Sequence, residues 1–122
     1  MKNFPSIKKN TDFQEIYKTG RRQSTGLLVM FLTERADGRS RIGISISKKR
    51  GNSVVRHGFA RKIREIFRLN SSMLNGGYDI VVTARDQAGK ASYAQLEKDF
   101  IKLLHRHNVI GDNTGNRIEA EK

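Results

Sequence analysis

Basic side chains are concentrated in one short stretch of this sequence. Between Lys48 and Arg68 the chain carries eight lysine and arginine residues and one acidic residue, Glu65. Ammonium and guanidinium groups bind phosphate oxygens, and the planar guanidinium of arginine also stacks on unpaired bases. The stretch therefore predicts binding of a polyanion, with a solvated basic face that serves solubility as the alternative.

The spacing within this stretch predicts an amphipathic helix over residues 53–69, with Ser53 as its N-cap. One face of this helix would carry polar side chains, namely His57, Arg61, Arg64 and Arg68. The opposite face would carry apolar ones, namely Val55, Phe59, Ile63 and Ile66. Like charges one turn apart repel each other, so a row of arginines on one face destabilises the free helix. A phosphate-bearing partner would offset this repulsion, which favours a role in binding RNA.

Aromatic side chains form a second candidate site. Phe13 and Tyr17 are one turn apart on a predicted first helix, and Phe31 lies in the strand that follows. Small residues alternate with isoleucines farther along, giving a strand with one small polar face made of Gly43, Ser45 and Ser47. Aromatic rings beside such a floor would suit unstacked bases. The alternative is that the three rings belong to the core.

Patterns that would support catalysis by the protein are missing. His57, His105 and His107 are the only histidines, and the last two point to different sides of a helix, so they cannot share a metal ion. Asp79 and Asp86 have no second carboxylate at a motif spacing. A protein-only nuclease needs clustered carboxylates for its metal ions, so we predict no catalytic and no metal-binding residue.

The composition of the whole chain bounds the class of protein. The formal net charge is +12, and residues 1–70 hold 17 Lys/Arg against 5 Asp/Glu, while residues 71–122 hold 7 of each. Such one-sided charge is typical of nucleic-acid binding. The absence of cysteine favours an intracellular protein, and no apolar run is long enough for a membrane span. We therefore expect one cytoplasmic RNA-binding domain over residues 1–110 and a disordered polar tail over residues 111–122.

The predicted elements give an α+β fold. The first is a helix that begins at Thr11, with Gln14 at capping-box spacing, and ends at Gly20. A strand over Leu27–Thr33, a hairpin turn at Ala36–Gly38 and a strand over Arg41–Ser47 follow. The remaining elements are the helix 53–69, a strand over Tyr78–Ala84, and a helix that begins at a Ser92 cap and ends at about His107. We expect a small, mainly antiparallel sheet with helices packed on one face. It would contain one βαβ crossover.

Two motifs resemble a known family. The sequence reads Ile42-Gly43-Ile44-Ser45-Ile46-Ser47-Lys48-Lys49, then Gly51-Asn52-Ser53-Val54-Val55-Arg56, then Arg61, Arg64 and Glu65. Near its start it reads Lys8-Lys9-x-x-Asp12-Phe13-x-x-x-Tyr17-x-x-Gly20. Together these motifs, within a resemblance over roughly residues 4–108, are similar to the bacterial ribonuclease P protein subunit.

The resemblance implies a non-catalytic subunit of the ribonucleoprotein endonuclease that removes the 5′ leader of precursor tRNA. Its partners would be the catalytic RNA, which holds the Mg²⁺ ions, and precursor tRNA, with no membrane and no protein partner. The implied binding set for the catalytic RNA is Lys48, Lys49, Asn52, Arg56, His57, Arg61, Arg64 and Arg68. The implied cleft for the single-stranded leader is lined by Phe13, Tyr17, Phe31, Ser45 and Ser47. The family's βαβ crossover is left-handed, against the usual hand.

The chain departs from the family pattern at the start of its basic helix. Gly58 and Ala60 stand where the family has cations, and Lys62 stands where it tends to have an apolar residue. An alternative function is a stand-alone RNA chaperone or a ribosomal-type RNA-binding protein. Such a protein would not need the aromatic cleft, which distinguishes the two hypotheses.

Overall fold

The protein was analysed as a computed structural model that describes residues 6–111. Its helices and strands in chain order are α1 (Asn10–Thr19), β1 (Arg21–Ser24), β2 (Leu28–Glu34), β3 (Arg41–Ser45), α2 (Ser53–Asn70), β4 (Tyr78–Ala84) and α3 (Tyr93–Arg106). Short 3₁₀ turns lie at Lys48–Arg50, Ser71–Met73 and Ala88–Lys90. The predicted tail lies outside the described residues from position 112 onward.

The four strands form one mixed sheet in the order β1-β2-β4-β3. β1 pairs antiparallel with β2, and β2 pairs antiparallel with β4. β3 pairs parallel with β4, so β3, α2 and β4 form the predicted βαβ unit. The mainly antiparallel α+β fold is confirmed, while the handedness of the crossover stays a prediction.

β4 is the central strand that the sequence predicted. Its residues Tyr78–Ala84 are buried except for Thr83, because the strand has a neighbour on each edge and helices over both faces. A nearly continuous apolar run is typical of such a position.

The predicted hairpin at Ala36–Gly38 is wrong. β4 inserts between β2 and β3, so these two strands do not pair with each other. The turn instead carries the chain across the end of β4: Arg35 N donates to Gly77 O at 2.9 Å, and Asp37 Oδ1 accepts from Arg39 N at 3.0 Å. The hairpin of this fold joins β1 and β2.

The helices divide between the two faces of the sheet. α2 and α3 cover the face that holds the main core, where Phe59, Ile63, Leu96 and Phe100 pack against sheet residues such as Ile80. α1 covers the opposite face, where Ile7, Ile16 and Val81 form a smaller cluster. The predicted packing on one face thus holds for α2 and α3 but not for α1.

Helix starts follow local capping. Ser92 and Gln95 form the predicted reciprocal capping box of α3. α2 is capped by Asn52, whose Oδ1 accepts from Val55 N at 3.0 Å, so the prediction of Ser53 as the cap is wrong by one residue. α1 begins at Asn10 and has no side-chain cap; Thr11 already lies inside the first turn and cannot be the N-cap that the sequence predicted.

Candidate nucleic-acid interface

The α2 helix presents one face to the core and the other to solvent, as its spacing predicts. Phe59, Ile63 and Ile66 are at most 2% exposed, whereas His57, Arg61 and Arg68 are exposed and Arg64 is partly exposed. The apolar face fixes the rotation of the helix. The arginine row is consequently held away from the sheet.

Five members of the predicted binding set are free of intramolecular partners. Within the part of the chain that the structure describes, their side chains form no hydrogen bond and no ion pair; these residues are Lys48, Lys49, His57, Arg61 and Arg64. All their donors remain available to a ligand. This group runs from the turn after β3 along the solvent face of α2.

The other three members also serve the fold. Asn52 caps α2, and Arg56 Nε donates to Gly51 O at 3.3 Å. Arg68 forms a fork with Glu65, with Nε donating to Oε1 at 3.0 Å and Nη2 to Oε2 at 2.5 Å. This fork lowers the pKa of Glu65 through the hydrogen bonds from Arg68, so Glu65 stays ionised and competes with any phosphate for Arg68.

Two further cations of the basic stretch support the loops around α2. Arg50 forms an ion pair with Asp86, and Lys62 Nζ donates to Ala91 O at 3.3 Å. Lys62 therefore links α2 to the segment before α3.

The three predicted aromatic side chains come together between α1 and the sheet. The ring centroids of Phe13 and Tyr17 are 6.3 Å apart, and those of Tyr17 and Phe31 are 5.0 Å apart in an edge-to-face arrangement. All three side chains are partly exposed and pack against the small cluster under α1. Each ring thus has packing on one side and some surface left for a ligand.

The small-residue face of β3 lies where the sequence predicted. A Cβ on Gly43 would stand 2.9 Å from the ring of Phe13, so only glycine lets α1 approach the strand this closely. The isoleucine face packs on the main core, which includes Ile42 and touches Ile44 and Ile46. Ser45 lies on the strand beside Gly43, while Ser47 lies beyond the strand end and is exposed.

Strand register adds a residue that the sequence did not reveal. Ser45 on β3 pairs with Thr83 on β4. Thr83 in turn pairs with Val29 on β2, and Val29 pairs with Ser24 on β1. Residues level with one another point to the same face, so Thr83 extends the small floor beside Ser45, and buried Val29 separates Thr83 from Ser24. Only the pairing of β4 with β3 identifies Thr83, and no local sequence signal does.

A partly buried ion-pair network links α1 to the sheet. Arg41 donates to Asp79 through Nε at 2.8 Å and Nη2 at 2.9 Å, and Arg35 donates to the same carboxylate at 3.2 Å. Arg41 Nη1 also lies 3.6 Å from the Asp12 carboxylate on α1. Because Asp12 precedes Phe13, this network fixes the end of α1 that carries the first aromatic ring.

The molecule thus carries two distinct surfaces on opposite faces of its sheet. One is a helix with a row of cations whose side chains have no internal partner, and the other is a cluster of partly exposed aromatic rings beside small residues of the sheet. Phosphate contacts and base stacking are two of the main ways in which proteins bind RNA. Fold and surfaces together define an α+β RNA-binding protein.

Comparison with known proteins identifies the kind of RNA-binding protein. A family model described as Ribonuclease P matches residues 1–108. The ribonuclease P protein component of Lachnoclostridium phytofermentans is 38% identical over 112 residues, covering 92% of this chain and 97% of that protein. That of Clostridium novyi is 40% identical over 108 residues, covering 87% and 96%.

Solved structures of ribonuclease P proteins have the same fold as this chain. The Staphylococcus aureus RNase P protein superposes with a TM-score of 0.80 at 36% identity, covering 87% of this chain and 97% of that one. The Thermotoga maritima RNase P protein gives 0.76 at 28% identity, covering 83% and 96%. The chain therefore belongs to the ribonuclease P protein family.

Proposed function

We propose that this ribonuclease P protein serves 5′ maturation of precursor tRNA by binding two RNAs on two different surfaces. The observation that carries the proposal is the separation of the free cations on and before α2 from the aromatic cleft under α1. A protein that only neutralised charge would need the first surface alone. The second surface adds a site suited to unpaired bases.

The cation surface is proposed to bind the catalytic RNA. Its contacts would come first from the five unpartnered side chains named above, and then from Arg56 and Arg68 as their internal hydrogen bonds exchange for phosphate. Asn52 would contribute through groups not used in capping α2. Guanidinium groups match phosphate oxygens in pairs, which would fix the register of α2 on the RNA.

The aromatic cleft is proposed to bind the single-stranded 5′ leader. The partly exposed rings of Phe13, Tyr17 and Phe31 would stack on bases, while Ser45 and Ser47 would hydrogen-bond to the leader. Gly43 is covered by the ring of Phe13, so a flat base would approach the sheet beside the small, partly exposed Ser45 and Thr83. Mature tRNA lacks the leader, so this cleft would favour precursor over product.

Hydrolysis is proposed to be carried out by the RNA, with Mg²⁺ held mainly there. Among residues 6–111, no three His, Asp or Glu side chains are placed to hold a metal ion together, so no step is assigned to a metal on the protein. No helix in the described part of the chain is long and apolar enough to cross a membrane. We propose that the protein acts in the cytoplasm of a bacterium, as its relatives are bacterial.

Reconstitution tests this proposal. Protein freed of RNA, a catalytic ribonuclease P RNA and a precursor tRNA are combined at low Mg²⁺, and 5′ cleavage is followed. Cleavage should require the RNA and be strongly stimulated by the protein. Cleavage by the protein alone, abolished by one carboxylate substitution, would contradict the proposal. A protein that raised the affinity of the catalytic RNA for precursor and mature tRNA equally would favour an RNA chaperone.

A further inference from the structure

Gly58 is an unexplained glycine within α2. It is the sixth residue of an 18-residue helix, a setting in which glycine is the least favourable residue other than proline. A Cβ placed there would meet nothing within 4 Å, and the backbone is not in the left-handed region. Neither close packing nor backbone conformation requires a glycine. The open space left by its missing side chain, called the gap below, therefore needs another explanation.

The gap opens into a surface groove of about 620 Å³, a volume typical of small-ligand sites. Its lining combines cations of α2 with the first residue of α3; the residues are Gly58, Arg61, Lys62, Arg64, Glu65, Arg68 and Tyr93. Arg61 and Arg64 have no partner within residues 6–111. Four cations against one carboxylate make the groove complementary to an anion.

Tyr93 supplies a second observation. Its hydroxyl oxygen exposes less than 1 Å² and has no hydrogen-bond partner among the described residues. Leaving a buried hydroxyl unpaired is costly, and burial raises the pKa of Tyr93, so the group remains an O–H donor. Glu65 and Arg68, which act on it electrostatically, are half-exposed and free to move aside.

We infer that this groove takes one unpaired nucleotide of the catalytic RNA, with its base in the gap left by Gly58. Arg61 and Arg64 bind the flanking phosphates, and the Tyr93 hydroxyl donates to an oxygen of the base or ribose. A paired helix presents phosphates, 2′-hydroxyls and the edges of its bases, and only a base turned out of its stack can enter a gap with its whole ring. The inference rests on the proposed function and makes Gly58 a determinant of RNA recognition.

Gly58→Gln tests the inference because it fills the gap without adding charge. The variant should melt about 4 °C higher, since glutamine is a better helix former, yet bind the catalytic RNA about tenfold more weakly, the loss of roughly one base contact. Leu69→Gln is the control, because Leu69 is 54% exposed on the same helix and lies outside the groove lining; its RNA affinity should be unchanged. Wild-type affinity for Gly58→Gln would overturn the inference.

A fully paired RNA duplex distinguishes a base from phosphates. Duplex affinity should be the same for wild type and Gly58→Gln, and an equal loss on both RNAs would overturn the base contact. Tyr93→Phe should weaken binding of the catalytic RNA several-fold without lowering the melting temperature, and unchanged affinity would remove the hydroxyl from the site. If the proposed function itself fails, wild-type protein will not bind the catalytic RNA at all, which is a different result.

Discussion

At the scale of single residues, the cations of the basic stretch divide into two groups. Arg50, Arg56 and Lys62 hold loops and helix ends in place, whereas Arg61 and Arg64 have no internal partner in the described part of the chain. Sequence spacing predicts which side of the helix a cation lies on. It does not predict which cations are used internally, because their partners, such as Asp86 and Ala91, are distant in sequence.

The buried side chain of His107 should make the free energy of unfolding depend on pH. It is 3% exposed, and its Nε2 lies 3.2 Å from Met30 O. Burial lowers the pKa of His107 below its ordinary value of 6.5; the hydrogen bond to Met30 opposes this shift, and the nearby charge of Arg21 adds to it. The unfolded chain then binds the proton more readily, so the free energy of unfolding should fall as pH drops below about 6.5.

His107→Gln checks this expectation. Glutamine keeps an N–H donor for Met30 O but does not titrate. Urea unfolding between pH 7.5 and 5 should show a shallower loss of stability for the variant than for the wild type. Parallel curves would mean that other groups cause the acid sensitivity.

At the scale of elements, the sequence predicts what local periodicity encodes. The range Tyr78–Ala84 and the capping box at Ser92 are confirmed. β1 was not predicted, because Arg21–Ser24 has no apolar residue and lies at the edge of the sheet. The pairing of β2 with β4 was also missed, since strand order depends on contacts between distant segments.

The two faces of α2 should respond differently to substitution. Replacing Arg61 and Arg64 together by glutamine should weaken binding of the catalytic RNA while changing stability by less than about 0.5 kcal/mol per site. Ile63→Ala should instead cost about 2–5 kcal/mol of stability, because Ile63 is 0% exposed. Thermal unfolding and RNA titration on the same samples separate the two effects.

A charge-matched control uses the last helix. Lys98 and Lys102 are exposed on α3, and replacing both by glutamine removes the same charge from another surface. This control should affect RNA binding much less than the α2 pair. Equal effects of the two pairs would show that net charge, and not the α2 surface, determines affinity.

At the scale of the whole molecule, the sheet separates the two surfaces. The basic helix packs on one face, and α1 with its aromatic residues packs on the other. The sequence predicts both sets of side chains and the small face of β3. It could not place Thr83 beside Ser45, because that position depends on the pairing of β4 with β3.

The charge of +12 should make RNA binding strongly dependent on salt. If about six phosphates are neutralised, the logarithm of the binding constant should fall with the logarithm of salt concentration at a slope of about −4 to −5. Filter binding or fluorescence titration across a salt series gives this slope. A slope near −1 would exclude the basic surface as the main interface.

The preference for precursor over mature tRNA tests the two-surface account most directly. It is measured as the ratio of the two affinities for holoenzyme assembled at saturating protein. Tyr17→Leu, which keeps apolar packing but removes the ring, should lower this ratio about tenfold without changing affinity for the catalytic RNA, and Tyr17→Phe should retain it. Replacing Arg61 and Arg64 together by glutamine should weaken assembly of the protein with the catalytic RNA and leave the ratio unchanged. If both variants lowered both quantities alike, the account of two separate RNA surfaces would be contradicted.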